Sequence, residues 1–170
     1  ILDPLSENAL DLITEKLRDV RQSSIEGVRL LPKAVHQLAS FSREDVLAEL
    51  LEQLTVHQEE QGRILQQILE REKITSTAIG NAVAIPHTIL DSLEETKIIV
   101  GIKDEGILWE GDIVRLVFLI VFAKNEPSQN ILFRKIYNFT RDKERVNKLI
   151  KEQKIEVLTE YLEGESHGTH

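Results

Sequence analysis

The chain has 170 residues, is 41% hydrophobic, and carries 29 acidic against 21 basic side chains for a formal charge of −8. That length buries one substantial core, and the acidic balance argues against direct nucleic acid contact by this segment, because phosphate binding needs basic clusters. With zero cysteines, a disulfide framework and thiolate chemistry are excluded.

The longest apolar run, Val114 to Ala123, is interrupted by Arg115 and is too short to span a bilayer, and no signal-peptide pattern opens the chain. These features predict a cytoplasmic protein with no membrane partner. A start at Ile1 leads us to expect a segment of a longer protein.

Asp3-Pro4 and Ser6 are helix-start signals, and Ala9, Leu10, Ile13, Leu17 and Val20 follow at helical spacing up to a break at Ser23-Ser24. Residues 1–29 are thus expected to form an N-terminal helix or linker outside the main module. Leu30-Leu31-Pro32 and Val35 to Leu38 are a short apolar lead-in. Ser42 is a helix N-cap with Glu44 and Asp45 in the first turn, and Val46, Leu47, Leu50, Leu51 and Leu54 give one apolar face. A second helix is predicted over Glu59 to Arg71, with Ile64, Leu65, Ile68 and Leu69 inward and Arg71 at its C-terminal end.

Ala82 to Ile85 is a short strand candidate; Ile98 to Ile102 and Val114 to Phe122 are stronger, and the last reads as a central strand buried on both faces. Between those two, Gly106-Ile107 and Trp109-Glu110-Gly111-Asp112 predict a short extended piece and a turn. After a break at Asn125-Glu126-Pro127-Ser128, Ile131, Leu132, Phe133, Ile136, Tyr137 and Phe139 repeat at helical spacing. Helices over Lys143 to Ile150 and Ile155 to Leu162 follow, and residues 164–170, with His167 and His170, are expected to be a disordered tail. Interleaved helices and strands predict an α/β domain over residues 30–163, a sheet with helices on both faces.

Of five histidines, two lie in that tail, and His36 and His57 are placed on helices or their edges. No His-x-x-x-His pair and no cysteine is present, so neither metal nor cofactor is expected, and the Gly-x-Ser-x-Gly elbow of a serine hydrolase is absent. His87 stands apart. The eighteen residues from Glu70 to His87 hold Arg71, three consecutive hydroxyls in Thr75, Ser76 and Thr77, the Gly80-Asn81 bend, and an apolar run closed by Ile85-Pro86-His87. Proline locks its own φ and disfavours helix in Ile85, so His87 should project from a strand end or the turn after it.

A histidine that accepts a phosphoryl group needs a neutral ring nitrogen, and the ordinary histidine pKa of about 6.5 keeps that form abundant at pH 7. The bound group then carries about two negative charges, which require an arginine and hydroxyl or N–H donors. Arg71, Thr75, Ser76 and Thr77 supply that chemistry. The residues alone favour a structural reading, in which the hydroxyls cap a turn, Gly80-Asn81 bends a hairpin, and the His87 ring is satisfied by backbone, since such loops are common.

Arg71-Glu72, Ser76-Thr77, Ile79-Gly80 and Ala84-Ile85-Pro86-His87 resemble the signature of the mannitol/fructose-type enzyme IIA domains of the bacterial sugar phosphotransferase system. Weaker similarity runs from about Leu30 to Leu162. The resemblance implies a mixed sheet flanked by helices, phosphorylation of His87 by the phosphocarrier protein HPr, phosphoryl binding by Arg71, and a IIB or IIB-like domain as partner. It implies a phosphohistidine carrier or acceptor rather than a turnover enzyme.

Transport members of that family usually carry a second histidine at the start of the helix after the central strand. Here the register set by Leu132, Phe133 and Ile136 puts Gln129 there, which can donate a hydrogen bond but cannot carry a proton. Thr88 and Ile89 also depart from the small residue, and the acid of some members, that follow the active histidine. Losing the second imidazole resembles the IIA-like C-terminal modules of phosphotransferase-regulated transcription activators and antiterminators. The expected function is a regulatory phosphoacceptor domain; the alternative is a transport phosphocarrier that passes phosphate from HPr to IIB.

Overall fold

In the computed structural model, residues 32, 34–54 and 56–167 are described; the expected N-terminal helix over residues 1–29 lies outside them. Six strands form one mixed sheet: β1 Val35–Gln37, β2 Ala78–Gly80, β3 Val83–Ala84, β4 His87–Leu90, β5 Lys97–Trp109 and β6 Asp112–Ala123. The helices are α1 Arg43–Leu51, α2 Gln58–Ile74, α3 Gln129–Arg141, α4 Lys143–Glu152 and α5 Glu156–His167.

The sheet is built on β6. It pairs antiparallel with β5 along one edge and parallel with β3 and β4 along the other, while β1 adds parallel to β5 and β2 antiparallel to β3. Alternate residues of β6 point to opposite faces, as the pleat requires. Leu116, Phe118, Ile120 and Phe122 pack with Leu132, Ile136 and Phe139 of α3, Val146 and Leu149 of α4, and Leu158 of α5. Val117, Leu119 and Val121 pack instead with Val46, Leu47 and Leu50 of α1 and Ile64 and Ile68 of α2. Both faces are covered, so β6 reads from Leu116 to Ala123 as a continuous apolar run rather than an alternating one.

β3 and β4 hold one register against β6, with Val83 opposite Leu116, Ala84 opposite Val117 and His87 opposite Ile120. The Ile85-Pro86 pair therefore interrupts the strand without slipping it. Pro86 still offers its carbonyl, which accepts from the Ile120 N–H at 3.0 Å. The preceding β2–β3 turn uses positive φ at Gly80 (95°), Asn81 (53°) and Ala82 (63°), conformations that glycine and asparagine enter at least cost. Asn81 Nδ2 donates to the Thr140 carbonyl at 2.8 Å, pinning this turn to the end of α3.

Local chemistry accounts for the helix starts. Ser42 Oγ accepts from the Asp45 N–H at 3.1 Å, and Asp142 caps α4 through the N–H groups of Glu144 and Arg145. Several expected elements change in extent. His36 lies in strand β1, not on a helix, because the lead-in pairs with β5. α2 continues past Arg71 to Ile74. The two pieces expected around 98–102 and 106–107 are one strand, joined through an irregularity between Ile102 and Ile107 that Gly106 (φ 92°) accommodates. α5 runs through Gly164 to His167, past the expected end at Leu162. Neither β2 nor β4 was foreseen: each is short, and backbone pairing rather than side-chain pattern forms it. No helix among the described residues is long and apolar enough to cross a membrane.

Candidate functional site

His87 is the first residue of β4, half-buried, and in register with Ile120, so its ring lies on the α3 side of the sheet. The Phe133 ring of α3 meets it edge-on, with centroids 5.0 Å apart at an interplanar angle of 65°. Its Nδ1 lies 2.8 Å from the carbonyl oxygen of Ile85. A carbonyl can only accept, so Nδ1 carries the proton, and in the neutral ring Nε2 holds the free lone pair. The Ile85-Pro86 interruption makes this bond possible, since it turns a carbonyl two residues back toward the ring.

Two clefts meet at His87. One, of about 420 Å³, is lined by Arg71, Ile74, Thr75, Ser76, Thr77 and Ile79 together with His87 and Phe133. The other, of about 480 Å³, is lined by Gln129, Asn130, Arg134, Tyr137 and Phe122 together with the same two residues. The structure thus gathers every residue singled out from sequence around one histidine: His87 itself, Arg71, the three hydroxyl residues, and Gln129 from the other side.

The hydroxyl residues differ in what they can still offer. Thr75 is the C-cap of α2, its N–H bonded to the Arg71 carbonyl at 3.0 Å, and its side chain is exposed. Ser76 Oγ accepts from the Ala78 N–H at 3.2 Å, which leaves its O–H free to donate. Thr77 is engaged: both its hydroxyl and its N–H donate to the Glu72 carboxylate. A hydroxyl has one proton to give, so Thr77 contributes loop geometry while Thr75 and Ser76 retain donors.

Glu72 is the support beneath this loop. It is buried to 2% exposure directly after Arg71, and it also accepts from Trp109 Nε1 at 3.1 Å, with Trp109 at 0% exposure. One carboxylate therefore ties the end of α2, the loop into β2 and the end of β5 together, and fixes the turn of helix from which Arg71 projects. Thr88, the residue after His87, points to the opposite face and bonds Gln67 of α2 at 3.2 Å, anchoring β4 from below.

Gln129 opens α3, one residue after the N-cap Ser128. From it, Asn130, Phe133, Arg134 and Tyr137 follow at helical spacing and line the same cleft. Sequence reading took Phe133 and Tyr137 as core periodicity and did not single out Asn130 or Arg134. Projecting a 3.6-residue period forward from Gln129 is the signal that would have found them.

Residues 32–165 match the family model described as phosphoenolpyruvate-dependent sugar phosphotransferase system, EIIA 2. The chain is 24% identical over 169 residues to the transcriptional regulator ManR of Bacillus subtilis, covering 96% of this chain and 26% of ManR. It is 29% identical over 101 residues to the probable licABCH operon regulator of the same organism, covering 59% of this chain and 16% of that protein. It thus spans about a quarter or less of the length of these regulators. Among solved structures, the complex of enzyme IIAMTL with phosphorylated enzyme IIBMTL from Escherichia coli matches with a TM-score of 0.59 and 23% identity, over 78% of this chain and 95% of that one. The fold is that of a mannitol-type IIA domain, and the chain belongs to the EIIA type 2 family of the phosphoenolpyruvate-dependent sugar phosphotransferase system.

Proposed function

We propose that this chain is a regulatory phosphoacceptor domain, phosphorylated on His87 by HPr in the cytoplasm, and that the added charge controls a sugar-operon transcription regulator of which it is one module. The observation that carries the reading is the 2.8 Å bond from His87 Nδ1–H to the Ile85 carbonyl, which leaves Nε2 as the nucleophilic atom at the junction of the two clefts.

In the transfer, the Nε2 lone pair forms a bond to phosphorus while the P–N bond of the donor phosphohistidine breaks, its electron pair returning to the donor ring nitrogen. Positive charge develops on the His87 ring as the new bond forms, and the Ile85 carbonyl stabilises it through the retained Nδ1 proton. Arg71 and the free donors of Thr75 and Ser76 face the negative charge of the transferring group, in a site where donors fixed beforehand need little reorganisation.

Two observations favour regulation over onward transport. Two relatives are named as a transcriptional regulator and an operon regulator, while a third, 34% identical over 106 residues, is a multiphosphoryl transfer protein of Haemophilus influenzae; and Gln129 stands at the start of α3, inside the His87 cleft, where it can donate but cannot shuttle a proton. A transport phosphocarrier is the second reading, favoured by the pairing of the mannitol IIA domain with phosphorylated IIB in the solved complex.

Incubation with enzyme I, HPr and phosphoenolpyruvate should place acid-labile, alkali-stable phosphate on the wild type and none on His87→Ala. An unlabelled wild type defeats both readings. Addition of a cognate IIB separates them: slow discharge supports the regulatory domain, and rapid discharge the carrier.

A further inference from the structure

The second cleft holds a cation that the proposed transfer has not used. Arg134 lies on α3 beside Phe133, whose ring touches His87, and both line the cleft with Gln129. Its guanidinium is exposed and has no hydrogen-bond or ion-pair partner among the described residues. Arg141, further along the same helix, lies instead over the Tyr137 ring at 5.8 Å.

The end of α3 beside Arg134 holds further donors, of which the Ser128 N–H and hydroxyl are already taken by the Glu126 carboxylate. The first turn of α3 contains no acid, and its N-cap side chain makes no bond to the helix amides. Ser128 Oγ donates to Glu126 instead, at 2.7 Å. The N–H groups of Asn130 and Ile131 consequently lack an acceptor among the described residues, at the helix end that carries partial positive charge. The cleft adds the amide of Gln129.

Charge decides between an idle surface arginine and a working one. A phosphoryl group on Nε2 carries about two negative charges, and Arg71 supplies one compensating positive charge from the first cleft. Arg134 would supply the other from the second cleft, which shares His87 and Phe133 with the first. We infer that Arg134 is a second phosphoryl-binding residue, closing on phosphorylated His87 from α3 while Arg71 closes from α2. The inference rests on phosphorylation of His87. Its consequence is a longer-lived phosphohistidine, the property a phosphorylation-reading domain needs and a relay does not.

Two phosphoryl donors test it. Phosphoramidate, a small donor with no docking surface, transfers its phosphoryl group to Nε2 as its own P–N bond breaks, releasing ammonia with the proton it takes up. HPr requires docking as well. Labelling and subsequent loss of label would be followed for wild type, Arg134→Ala and Arg134→Lys, together with the phosphorus resonance of the phosphohistidine and a near-ultraviolet dichroism check of folding.

Loss of one charge-assisted contact predicts roughly ten-fold slower labelling of Arg134→Ala by phosphoramidate and a correspondingly shorter phosphohistidine lifetime. Arg134→Lys should recover part of both, and the phosphorus shift should move in Arg134→Ala. Unchanged rate and lifetime in folded Arg134→Ala overturn the inference while leaving His87 phosphorylation intact. A defect with HPr and none with phosphoramidate also overturns it, assigning Arg134 to donor docking. An unlabelled wild type overturns the phosphoacceptor reading and this inference with it.

Discussion

Replacing Glu72 by alanine tests whether the buried carboxylate holds the Arg71 side of the site. Three donors converge on it: the Thr77 N–H at 3.1 Å, the Thr77 hydroxyl, and Trp109 Nε1 at 3.1 Å. A hydrogen bond to a charged acceptor contributes about 1.5–3 kcal/mol, and a buried donor left without an acceptor costs about 1–3 kcal/mol. The three share one carboxylate and are not additive, so the expected loss is about 3–5 kcal/mol rather than the sum. Trp109 is the single tryptophan, and its fluorescence reports urea unfolding of wild type and Glu72→Ala directly. A parallel cycle read by far-ultraviolet dichroism with Trp109→Phe, which removes one donor, isolates the Glu72–Trp109 coupling, expected at about 1–2 kcal/mol. Because the same carboxylate anchors Thr77, His87 labelling should slow even where the variant remains folded. A Glu72→Ala protein within about 1 kcal/mol of wild type, labelled at the wild-type rate, would show that the carboxylate does not hold this loop, since 1 kcal/mol is less than one such bond is worth.

Arg71→Ala should remain folded, because its side chain is exposed at the end of α2, and should be labelled by HPr roughly ten- to hundred-fold more slowly; an equal rate in a rapid-quench assay would remove Arg71 from the site. Gln129→His returns an imidazole to the start of α3 and should accelerate discharge of phosphate to a cognate IIB, measured by loss of label. No acceleration would count against the assigned role of that position. Burial pushes the Glu49 carboxyl up, but hydrogen bonds from Ala39 and Ser40 and the charge of Lys103 outweigh it and leave the group below the ordinary carboxylate value. A carboxyl depressed on folding contributes stability that is present above its unfolded pKa and lost as pH falls through the folded one. Urea titrations from pH 7 down to about pH 3 should therefore show a smaller acid-side loss for Glu49→Gln than for wild type; identical slopes would contradict the assignment.

Much of the fold is legible in the residues because burial imposes period. The helix starting at Ser42, the apolar faces of α1 and α2, and the doubly buried β6 follow from spacing and capping chemistry. β4 does not, because Thr88 and Ile89 alternate over too few residues to give a strand pattern and β4 exists by pairing with β6. The same limit hid the strand character of His36, which depends on a neighbour more than sixty residues away, Gly101.

At the site, His87, Arg71 and the three hydroxyls are close in sequence and therefore visible together. Their division of labour is not, since it depends on Thr77, rather than Ser76, facing the buried Glu72. Glu72 itself reads as one more acid on a helix until Trp109, thirty-seven positions away, is folded against it. Gln129 was placed by a register argument, and the structure sets it in the His87 cleft. Arg134 adds nothing to the apolar period of α3 and is found only by its spacing from Gln129; its meaning comes from what shares its cleft.

Because Nδ1 of His87 is committed to the Ile85 carbonyl, phosphorylation is expected on Nε2. Proton–nitrogen–phosphorus NMR on uniformly nitrogen-labelled protein, treated with enzyme I, HPr and phosphoenolpyruvate, identifies the bonded nitrogen directly. The expected result is a single phosphohistidine with phosphorus coupled to Nε2 of His87 and the Nδ1 proton retained. Phosphorus on Nδ1, on another histidine, or nowhere on the chain would contradict it.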